Sequence, residues 1–392
     1  MKLLYLGYFS SPGVFQKLEN AGLDPSTARQ NYELGFLHSI IEEELLKKED
    51  LTIVSYLPRN DKLEDCKAKD EFWGIELNYV WTSRSNCFEM LCAIFRMSTQ
   101  IRIWMKETNG EPRAILTYAA NPILLIPAFL FKGKTKIVTV VSEVPQYRNM
   151  TEGNPVVNLI KKKVFSFFNN WMDGYIYMTR HMDEVCNPRK KPWIVVEGMT
   201  QIPERMIRDE KHTQPVILYA GGLHIENGID VLLEAFERMQ NKNAVLQLCG
   251  IGNATDRIVQ YAAKNERIQY LGTLPNERVR KLEREATLLV NPRKPDSMLT
   301  RYSFPSKTFE YFSSGTPCAL SKLEGIPEEF YEYCYVCDVS NADRLASDLD
   351  SILTKSQDER EIKGVQAYEF LKKEKSAKIQ TKKIIDFMNE FV

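Results

Sequence analysis

The chain has 392 residues, with 52 basic and 52 acidic side chains and a formal net charge of zero at pH 7. This balance excludes the strong positive charge expected of a dedicated nucleic-acid-binding protein. The hydrophobic content of 44% and the charged content of 27% are typical of a globular protein, and the length favours two domains of ordinary size.

The N-terminus, the longest apolar run and the cysteines together predict a cytoplasmic protein. The apolar part of Met1–Gly13 is too short for a signal peptide and predicts a first strand. The longest apolar run, Pro122–Phe131, is well below the ~20 residues that cross a bilayer. Several of the eight cysteines lie in apolar runs. Cys334 and Cys337 have the spacing of half a zinc site, but no second pair and no nearby His complete it. We expect no metal site and a reducing environment.

The first half of the chain alternates short apolar runs with longer helical stretches. The spacing of apolar residues predicts helices over Pro25–Lys48 and Phe88–Lys106. Strands are predicted at six apolar or β-branched runs, Lys2–Tyr8, Leu51–Tyr56, Ala114–Tyr118, Lys136–Val141, Tyr175–Thr179 and Trp193–Glu197.

The second half repeats this alternation more clearly. Six further strands are predicted at Val216–Ala220, Ala244–Cys249, Ile268–Gly272, Thr287–Asn291, Pro317–Leu320 and Tyr333–Cys337. Helices are predicted at Ile229–Met239, after Asn253, from Pro275 onwards, and at Pro305–Ser314, where Gly315 is a good C-terminal stop. The alternation predicts an α/β protein with two parallel sheets covered by helices.

A polar stretch with two prolines, Gly198–Pro215, separates the two series and predicts the domain boundary. The N-terminal domain is then 1–198 and the C-terminal domain 199–375. The amphipathic segment 376–392 follows the second series. It could pack on either domain, including back on the first.

Two loops of the second half are candidates for chemistry, because open parallel sheets bind ligands at the carboxyl ends of their strands. The first is Gly221-Gly222, directly after a strand, where backbone N–H groups can approach a phosphate closely. These glycines could also merely form a tight turn.

The second loop runs from Asn291-Pro292-Arg293 to a helix that Pro305 or Ser306 begins. The free N–H groups and the dipole of a helix start favour an anion. Lys307 lies in that first turn, where its positive charge is unfavourable beside the positive end of the helix dipole unless an anion binds to both. Arg293 adds a second positive charge. Glu310 lies one turn on and suits hydroxyl groups. The alternative is a solvated helix in which Lys307 contacts Glu310 or Tyr311.

At this point the sequence resembles a known family. The stretch from Val216 to about Leu353 is similar to the nucleotide-binding domain of the GT-B retaining glycosyltransferases of family four, in a subgroup with a Phe-Pro-Ser-Lys pattern. The resemblance is carried in order by Tyr219–Gly222, Leu271–Pro275, Leu288–Arg293, Ser303–Tyr311 and Ser314–Pro317. It extends weakly through Glu197–Met199 and Val141–Pro145. The first ~130 residues match only in general layout.

The resemblance implies a GT-B fold, with two Rossmann-like domains whose parallel sheets face an interdomain cleft. It also implies sugar transfer from a nucleotide-sugar, with a UDP-sugar as the expected donor, with retention and without a metal or cofactor. The backbone of Gly221 and Gly222 would face the donor diphosphate, and Arg293 and Lys307 would neutralise it as charge develops on the leaving group. The other donor contacts implied are the N–H groups of Ser306 and Thr308, the Glu310 carboxylate at the ribose, and the Thr273–Leu274 backbone at the base.

Three positions depart from the family pattern. Tyr302, a further donor-site candidate, stands where the family has the first glutamate of a pair, Gly222 where it has an arginine, and Asn227 where it has a lysine. These departures leave the contacts to the sugar and the phosphate open.

The acceptor is expected in the N-terminal half. Ser10 lies in the loop after the first strand, and Arg29 near the start of the next helix could bind an acceptor phosphate or be a surface arginine. Glu143 follows a strand and is a candidate polar group near the reacting sugar, or a structural glutamate.

A membrane surface is a further expected partner. Residues 156–171 are basic and aromatic and could lie in an anionic interface, with a lipid-linked glycan of surface-polysaccharide assembly as acceptor. Their apolar side chains could equally be core.

Two other functions remain open at this stage. A sugar-nucleotide epimerase of the same fold would need acid and base groups in the cleft, and the four histidines, at 38, 181, 212 and 224, form no convincing pair. A binding protein without turnover is the other alternative, supported by the departures at Tyr302, Gly222 and Asn227.

Overall fold

The computed structural model describes residues 1–21, 27–59, 68–83, 87–119, 121–142, 144, 159, 163, 166–295 and 298–392. At positions 27–29, 58–59, 82–83, 87 and 298–299 it describes the backbone alone. The chain divides into two compact units, the first formed by Met1–Thr200 with Ala377–Val392 and the second by Gln201–Ser376.

The first unit contains an eight-stranded sheet in the order β3-β4-β2-β1-β5-β6-β7-β8. Neighbouring strands are parallel except for β3, which pairs with β4 in antiparallel register. The strands are β1 Lys2–Gly7, β2 Leu51–Arg59, β3 Lys69–Phe72, β4 Ile75–Ser83, β5 Arg113–Tyr118, β6 Lys136–Val141, β7 Gly174–Tyr177 and β8 Trp193–Val195.

The described helices of the first unit include one from the C-terminal end of the chain. They are α1 Pro12–Asn20, α2 Thr27–Glu42, α3 Cys87–Glu107, α4 Pro122–Phe131, α5 Met182–Cys186 and, after the second unit, α14 Ala377–Asn389. Helix α14 lies against α2, where Lys378 forms an ion pair of 2.5 Å with Glu43. Gln380 on the same helix is buried and donates a hydrogen bond of 3.0 Å to Glu197.

The second unit contains a six-stranded, wholly parallel sheet in the order β11-β10-β9-β12-β13-β14. The strands are β9 Val216–Ala220, β10 Val245–Cys249, β11 Ile268–Gly272, β12 Leu288–Asn291, β13 Cys318–Ser321 and β14 Tyr335–Cys337. Alternate residues of β9 belong to different buried clusters, Ile217 and Tyr219 to one and Val216, Leu218 and Ala220 to the other. Both faces of this sheet are therefore covered, as parallel sheets require.

Helices follow the strands of the second unit and form these two layers. They are α6 Ile229–Arg238, α7 Thr255–Ala262, α8 Asn276–Glu285, α9 Met298–Arg301, α10 Ser306–Ser314, α11 Glu328–Tyr331, α12 Ala342–Thr354 and α13 Gln357–Phe370. Local chemistry fixes several of their ends. Gly315 ends α10 in the left-handed conformation, with φ of 70°, and Ser356 and Glu359 form a capping box at the start of α13.

The predicted α/β class with two parallel-sheet domains is confirmed. Strand β3, in which three of the four residues are charged, and strand β4 were not predicted from the sequence. Helices α1, α4, α12 and α13 were not predicted either. No helix in the described ranges is long and apolar enough to cross a membrane.

Candidate functional site

The strand order of the second unit defines one point where a ligand is expected. The chain proceeds from β9 to β10 and β11 on one side, and β12 then returns to the other side of β9. Ligands of open α/β sheets bind at such a switch point, outside the carboxyl ends of the two central strands. Here these ends are Ala220 and Asn291. The loops that follow them carry Gly221-Gly222 and Pro292-Arg293, so the topology brings the two predicted loops together.

Glycines allow these loops to touch. A Cβ atom added at Gly228 would lie 1.9 Å from the carbonyl oxygen of Pro292, and one added at Gly250 would lie 1.8 Å from the carbonyl oxygen of Gly221. Both glycines have positive φ, 78° and 133°. Only glycine permits this approach of backbone to backbone.

The Gly221-Gly222 loop is held by two side-chain hydrogen bonds to the Gly222 carbonyl and by one hydrogen bond from the Gly221 N–H. The phenol of Tyr219 donates to the Gly222 carbonyl over 2.9 Å, and the Asn227 side chain donates to the same oxygen over 2.7 Å. The Gly221 N–H donates to Cys249 over 2.8 Å. Asn227, one of the departures from the family pattern, thus fixes the loop in place of contributing a charge.

Helix α10 begins at the predicted position, facing this loop. Pro305 is its N-cap residue and offers no side-chain hydrogen bond to the N–H groups of the first turn. The N–H of Thr308 donates to the Pro305 carbonyl over 2.9 Å, so in this structure it is already used. The Thr308 side chain is fully buried, and its hydroxyl has no hydrogen-bond partner among the described residues, whereas Ser306 is exposed.

Lys307 and Glu310 form an ion pair of 2.5 Å, which is the alternative contact foreseen from the sequence. The same lysine lies over the glycine loop, because a Cβ atom added at Gly221 would be 2.8 Å from the Lys307 Cε. Both side chains are only partly exposed. The pair and the glycine loop therefore share one small volume at the start of α10.

Arg293 brings a second cation to this volume. Burial lowers the pKa of its guanidinium, and the nearby Tyr219 phenol acts in the opposite direction. Tyr311 of α10 is fully buried and joins the central strands, since its hydroxyl accepts from the Ala220 N–H and donates to the Val290 carbonyl, each over 3.4 Å. These contacts fix α10 to both strand ends at the switch point.

The loop after β11 lies at the same edge of the sheet. Leu274 donates a backbone hydrogen bond to the Cys249 thiol, and the charge of Lys307 is close to that thiol. Burial raises the pKa of Cys249, and these two neighbours lower it. Thr273 is exposed beside Leu274. The predicted base-contacting segment therefore lies next to Lys307.

One residue of this neighbourhood escaped the sequence analysis. Glu283 of α8 is buried, and the charges of Glu310 and Lys307 act on its carboxyl group. It lies in the run Arg280–Glu285, where charged side chains fill every position except Leu282. Nothing in that run distinguishes Glu283 from the more exposed Glu285.

The other predicted site residues are either buried or lie outside the described residues. Tyr302 is buried just ahead of α10, and in the first unit Ser10 is buried, with its backbone paired to the Gln30 side chain at 2.5 Å and 3.3 Å. Glu143 and the side chain of Arg29 lie outside the described residues. Glu33, which the sequence analysis did not single out, holds the loop after β1 by accepting from the Tyr8 N–H over 2.8 Å.

The cluster in the second unit is suited to an anion that carries hydroxyl groups. Lys307, Arg293 and the start of α10 supply positive charge, and the carboxylate of Glu310 can accept from hydroxyl groups. Within the described part of the chain, no three His, Cys, Asp or Glu side chains are grouped so that they could hold a metal ion.

Comparison with known proteins finds a family pattern over most of the second unit. Residues 201–369 match the model of the family "Glycosyl transferases group 1". No curated protein matches the sequence.

Solved structures match the whole chain. The sucrose-phosphate synthase from Thermosynechococcus elongatus has a TM-score of 0.66 and 12% identity, covering 100% of this chain and 99% of its own. The lipopolysaccharide outer core galactosyltransferase WaaB has 0.65 and 14%, and Anabaena HepE in complex with UDP has 0.66 and 12%, each covering 100% of both chains. Residues 201–369 therefore carry the pattern of the glycosyl transferases group 1 family, and the whole chain has the fold of GT-B glycosyltransferases.

Proposed function

We propose that this protein is a glycosyltransferase that takes a sugar from a nucleotide-sugar bound in the second unit. The observation that carries the proposal is the position of Lys307, in the first turn of α10, against Gly221 and paired with Glu310. A cation at a helix start is unfavourable without an anion, but the cation and the helix N–H groups can bind the same diphosphate. The family match over 201–369 supports the same assignment.

The donor in this proposal is a UDP-sugar. Anabaena HepE, which has this fold, was solved in complex with UDP. Glu310 accepts from the ribose hydroxyls, the Thr273–Leu274 backbone lies beside the base, and Gly221 and Gly222 face the diphosphate. Ser306 contributes the N–H of the helix start.

In the proposed reaction the bond between the anomeric carbon and the diphosphate oxygen breaks, and the nucleoside diphosphate leaves with the electron pair. An acceptor hydroxyl forms the new bond at that carbon, with retention, and its proton passes to the leaving diphosphate. Lys307, Arg293 and the start of α10 stabilise the charge on the leaving group. Because these groups supply positive charge, we expect turnover without a metal, so EDTA should leave the rate unchanged.

The acceptor in this proposal is a glycan or lipid-linked glycan of surface-polysaccharide assembly, bound by the first unit. Of the structural relatives, WaaB is a galactosyltransferase of the lipopolysaccharide outer core. Ser10, Arg29 and Glu143 remain the candidates for acceptor and sugar contacts. Retention and the acceptor class would be read from the anomeric proton coupling of an isolated product.

We also propose that the first unit docks on an anionic membrane surface. In the segment 156–171, three described apolar side chains are exposed, at 55% for Leu159, 57% for Phe167 and 48% for Trp171, whereas Phe168 is only partly exposed and packs against Phe129. The Arg189 guanidinium lies 3.7 Å from the centre of the Trp171 ring. Aromatic side chains beside cations suit the headgroup region of anionic lipids.

Liposome cosedimentation tests the membrane proposal. Vesicles with anionic lipid should retain the protein at low salt, and Phe167→Ser should weaken retention. Ile362→Ser, an equally exposed apolar position at 57% in the second unit, is the matched control. Membrane docking by this segment would be contradicted if the protein failed to cosediment at every salt concentration tested. It would also be contradicted if Ile362→Ser lost as much vesicle binding as Phe167→Ser.

A thermal-shift panel of nucleotides and nucleotide-sugars tests the proposed function first. A ligand that binds only the folded state raises the melting temperature. At a ligand concentration of one hundred times its Kd, it stabilises the folded state by about 2.7 kcal/mol. We expect the largest shift with UDP compounds, and slow release of UDP from the bound UDP-sugar to water. No shift with any nucleotide at millimolar concentration would overturn the proposal. A shift without any release, with or without acceptor extracts, would indicate the binding protein without turnover.

A further inference from the structure

Beside the proposed donor site lies a carboxyl group to which the proposed function gives no role. Glu283 is only 2% exposed, and its Oε1 atom is buried without a hydrogen-bond partner in the described part of the chain. A buried polar atom without a partner costs ~1–3 kcal/mol, so its presence needs a reason. Helix α8, which carries it, packs against α10 and β9.

The groups that face Glu283 are those of the donor site. From α10 these are Lys307, Glu310 and the phenol of Tyr311, and from β10 the thiol of Cys249. Its own helix adds Arg280 and Arg284. Lys211 lies one turn further along, where its ammonium group donates to the carbonyls of Arg284 and Ala286 at the helix end.

Burial and the charge of Glu310 raise the pKa of Glu283 to about 7, against the lowering effect of Lys307 and the two arginines. The carboxyl group therefore changes charge near neutral pH. When it is protonated, Lys307, Arg293 and Glu310 give the site one net positive charge. When it is ionised, the net charge of the four groups is zero.

We propose that Glu283 is a positioning residue of the donor site, whose neutral carboxyl group leaves Lys307 available to the diphosphate and whose ionisation draws Lys307 away. The inference rests on the proposed function, because the diphosphate is the ligand that Lys307 meets. With Glu283 neutral, the diphosphate displaces Lys307 from Glu310 alone. With Glu283 ionised, it competes against two carboxylates. Donor binding is then coupled to protonation of Glu283.

The test is the pH dependence of nucleotide-sugar affinity by calorimetry. The probe is UDP-glucose or GDP-mannose, whichever binds more tightly, since their diphosphate diesters keep the same charge between pH 6 and 8. For the wild type, Kd should change little from pH 6 to 7 and rise by up to ~tenfold from pH 7 to 8, the limit for one linked proton. Glu283→Gln and Glu283→Leu should bind with a flat profile.

Two control variants separate this effect from other groups. Glu285→Gln changes a carboxylate on the same helix that pairs with Lys281 at 3.6 Å, and it should keep the wild-type slope. His224→Gln removes an imidazole that lies against Gly222, and it should also keep the slope. Loss of the slope in either control overturns the role of Glu283.

A ligand-free measurement distinguishes failure of this inference from failure of the proposed function. A folded pKa above the ordinary 4.5 means that the stability contribution of Glu283 is complete below pH 4.5 and is lost as pH rises to about 7. The melting temperature of Glu283→Gln relative to wild type should therefore grow from pH 5 to 7 and level off above. If this holds but neither probe binds at any pH, the proposed function fails, and the role of Glu283 with it. If a probe binds with no slope in the wild type, or with the slope kept in Glu283→Gln, the role of Glu283 alone is overturned.

Discussion

Replacing Lys307 with alanine should weaken nucleotide binding strongly and leave the fold nearly unchanged. In the proposed complex the Lys307 ammonium makes a charge-assisted hydrogen bond to the diphosphate, an interaction that contributes ~1.5–3 kcal/mol. At 1.4 kcal/mol for each factor of ten, Kd for UDP should rise ~10–150-fold. In the free protein the substitution removes the partly exposed ion pair with Glu310, three residues further along the helix. Such pairs contribute ~0.2–0.5 kcal/mol, so the melting temperature should fall by only about 1–2 °C.

Isothermal titration calorimetry with UDP measures the first effect and a thermal melt without ligand measures the second. Lys322→Ala is the matched control, because Lys322 forms an exposed pair of 3.0 Å with Glu328 in the same unit. It should bind UDP like the wild type. A Kd for Lys307→Ala within twofold of the wild type would refute the placement of the diphosphate. A large loss of stability would instead give Lys307 a structural role.

Three further outcomes are expected. Glu310→Gln should weaken UDP binding ~tenfold relative to inorganic pyrophosphate, because Glu310 is assigned to the ribose and the loss of its ion pair frees Lys307 for either ligand. An equal change in affinity for both ligands would contradict that assignment. Gly250→Ala should lower the free energy of unfolding, measured in urea, by several kcal/mol, because the new Cβ would lie 1.8 Å from the Gly221 carbonyl oxygen. Gly272→Ala, with φ of 66° and no atom within 4 Å of the new Cβ, should cost only ~1–2 kcal/mol, and similar costs for the two variants would refute the steric argument. Burial lowers the pKa of Lys211 to about 8, so the buried charge destabilises the protein fully below pH 8, and this cost is relieved as the pH rises from 8 to 10.5. The stability of the wild type relative to Lys211→Met should therefore rise between pH 8 and about 9.5, and a constant difference would contradict the shift.

The sequence predicted the second unit well because its elements are local and strongly patterned. Its six predicted strands agree with the observed ones within two residues. Four of them, β9, β10, β12 and β13, are largely buried apolar runs bounded by glycine, proline or polar residues. The start and stop of α10 followed from Pro305, Ser306 and Gly315, whose backbone preferences decide the ends of a helix without tertiary contacts.

The parts that escaped prediction depend on tertiary packing. Helix α4 is apolar on all sides and contains Pro127, so its sequence resembles a buried strand as much as a helix. Glu283 is one of several charged residues on α8, and the sequence does not show that this helix packs against α10 and β9 with Glu283 buried. Asn227 stands where the resemblance led us to expect a cation, and its role in holding Gly222 depends on a turn that spacing alone does not define.

The central claim, a donor diphosphate at the switch point of the second sheet, is tested most directly by a crystal structure with UDP bound. We expect the diphosphate within hydrogen-bond distance of the Lys307 ammonium and the Gly221-Gly222 backbone, with the ribose at Glu310 and the Lys307–Glu310 pair opened. UDP bound elsewhere, with that pair intact, would contradict the claim.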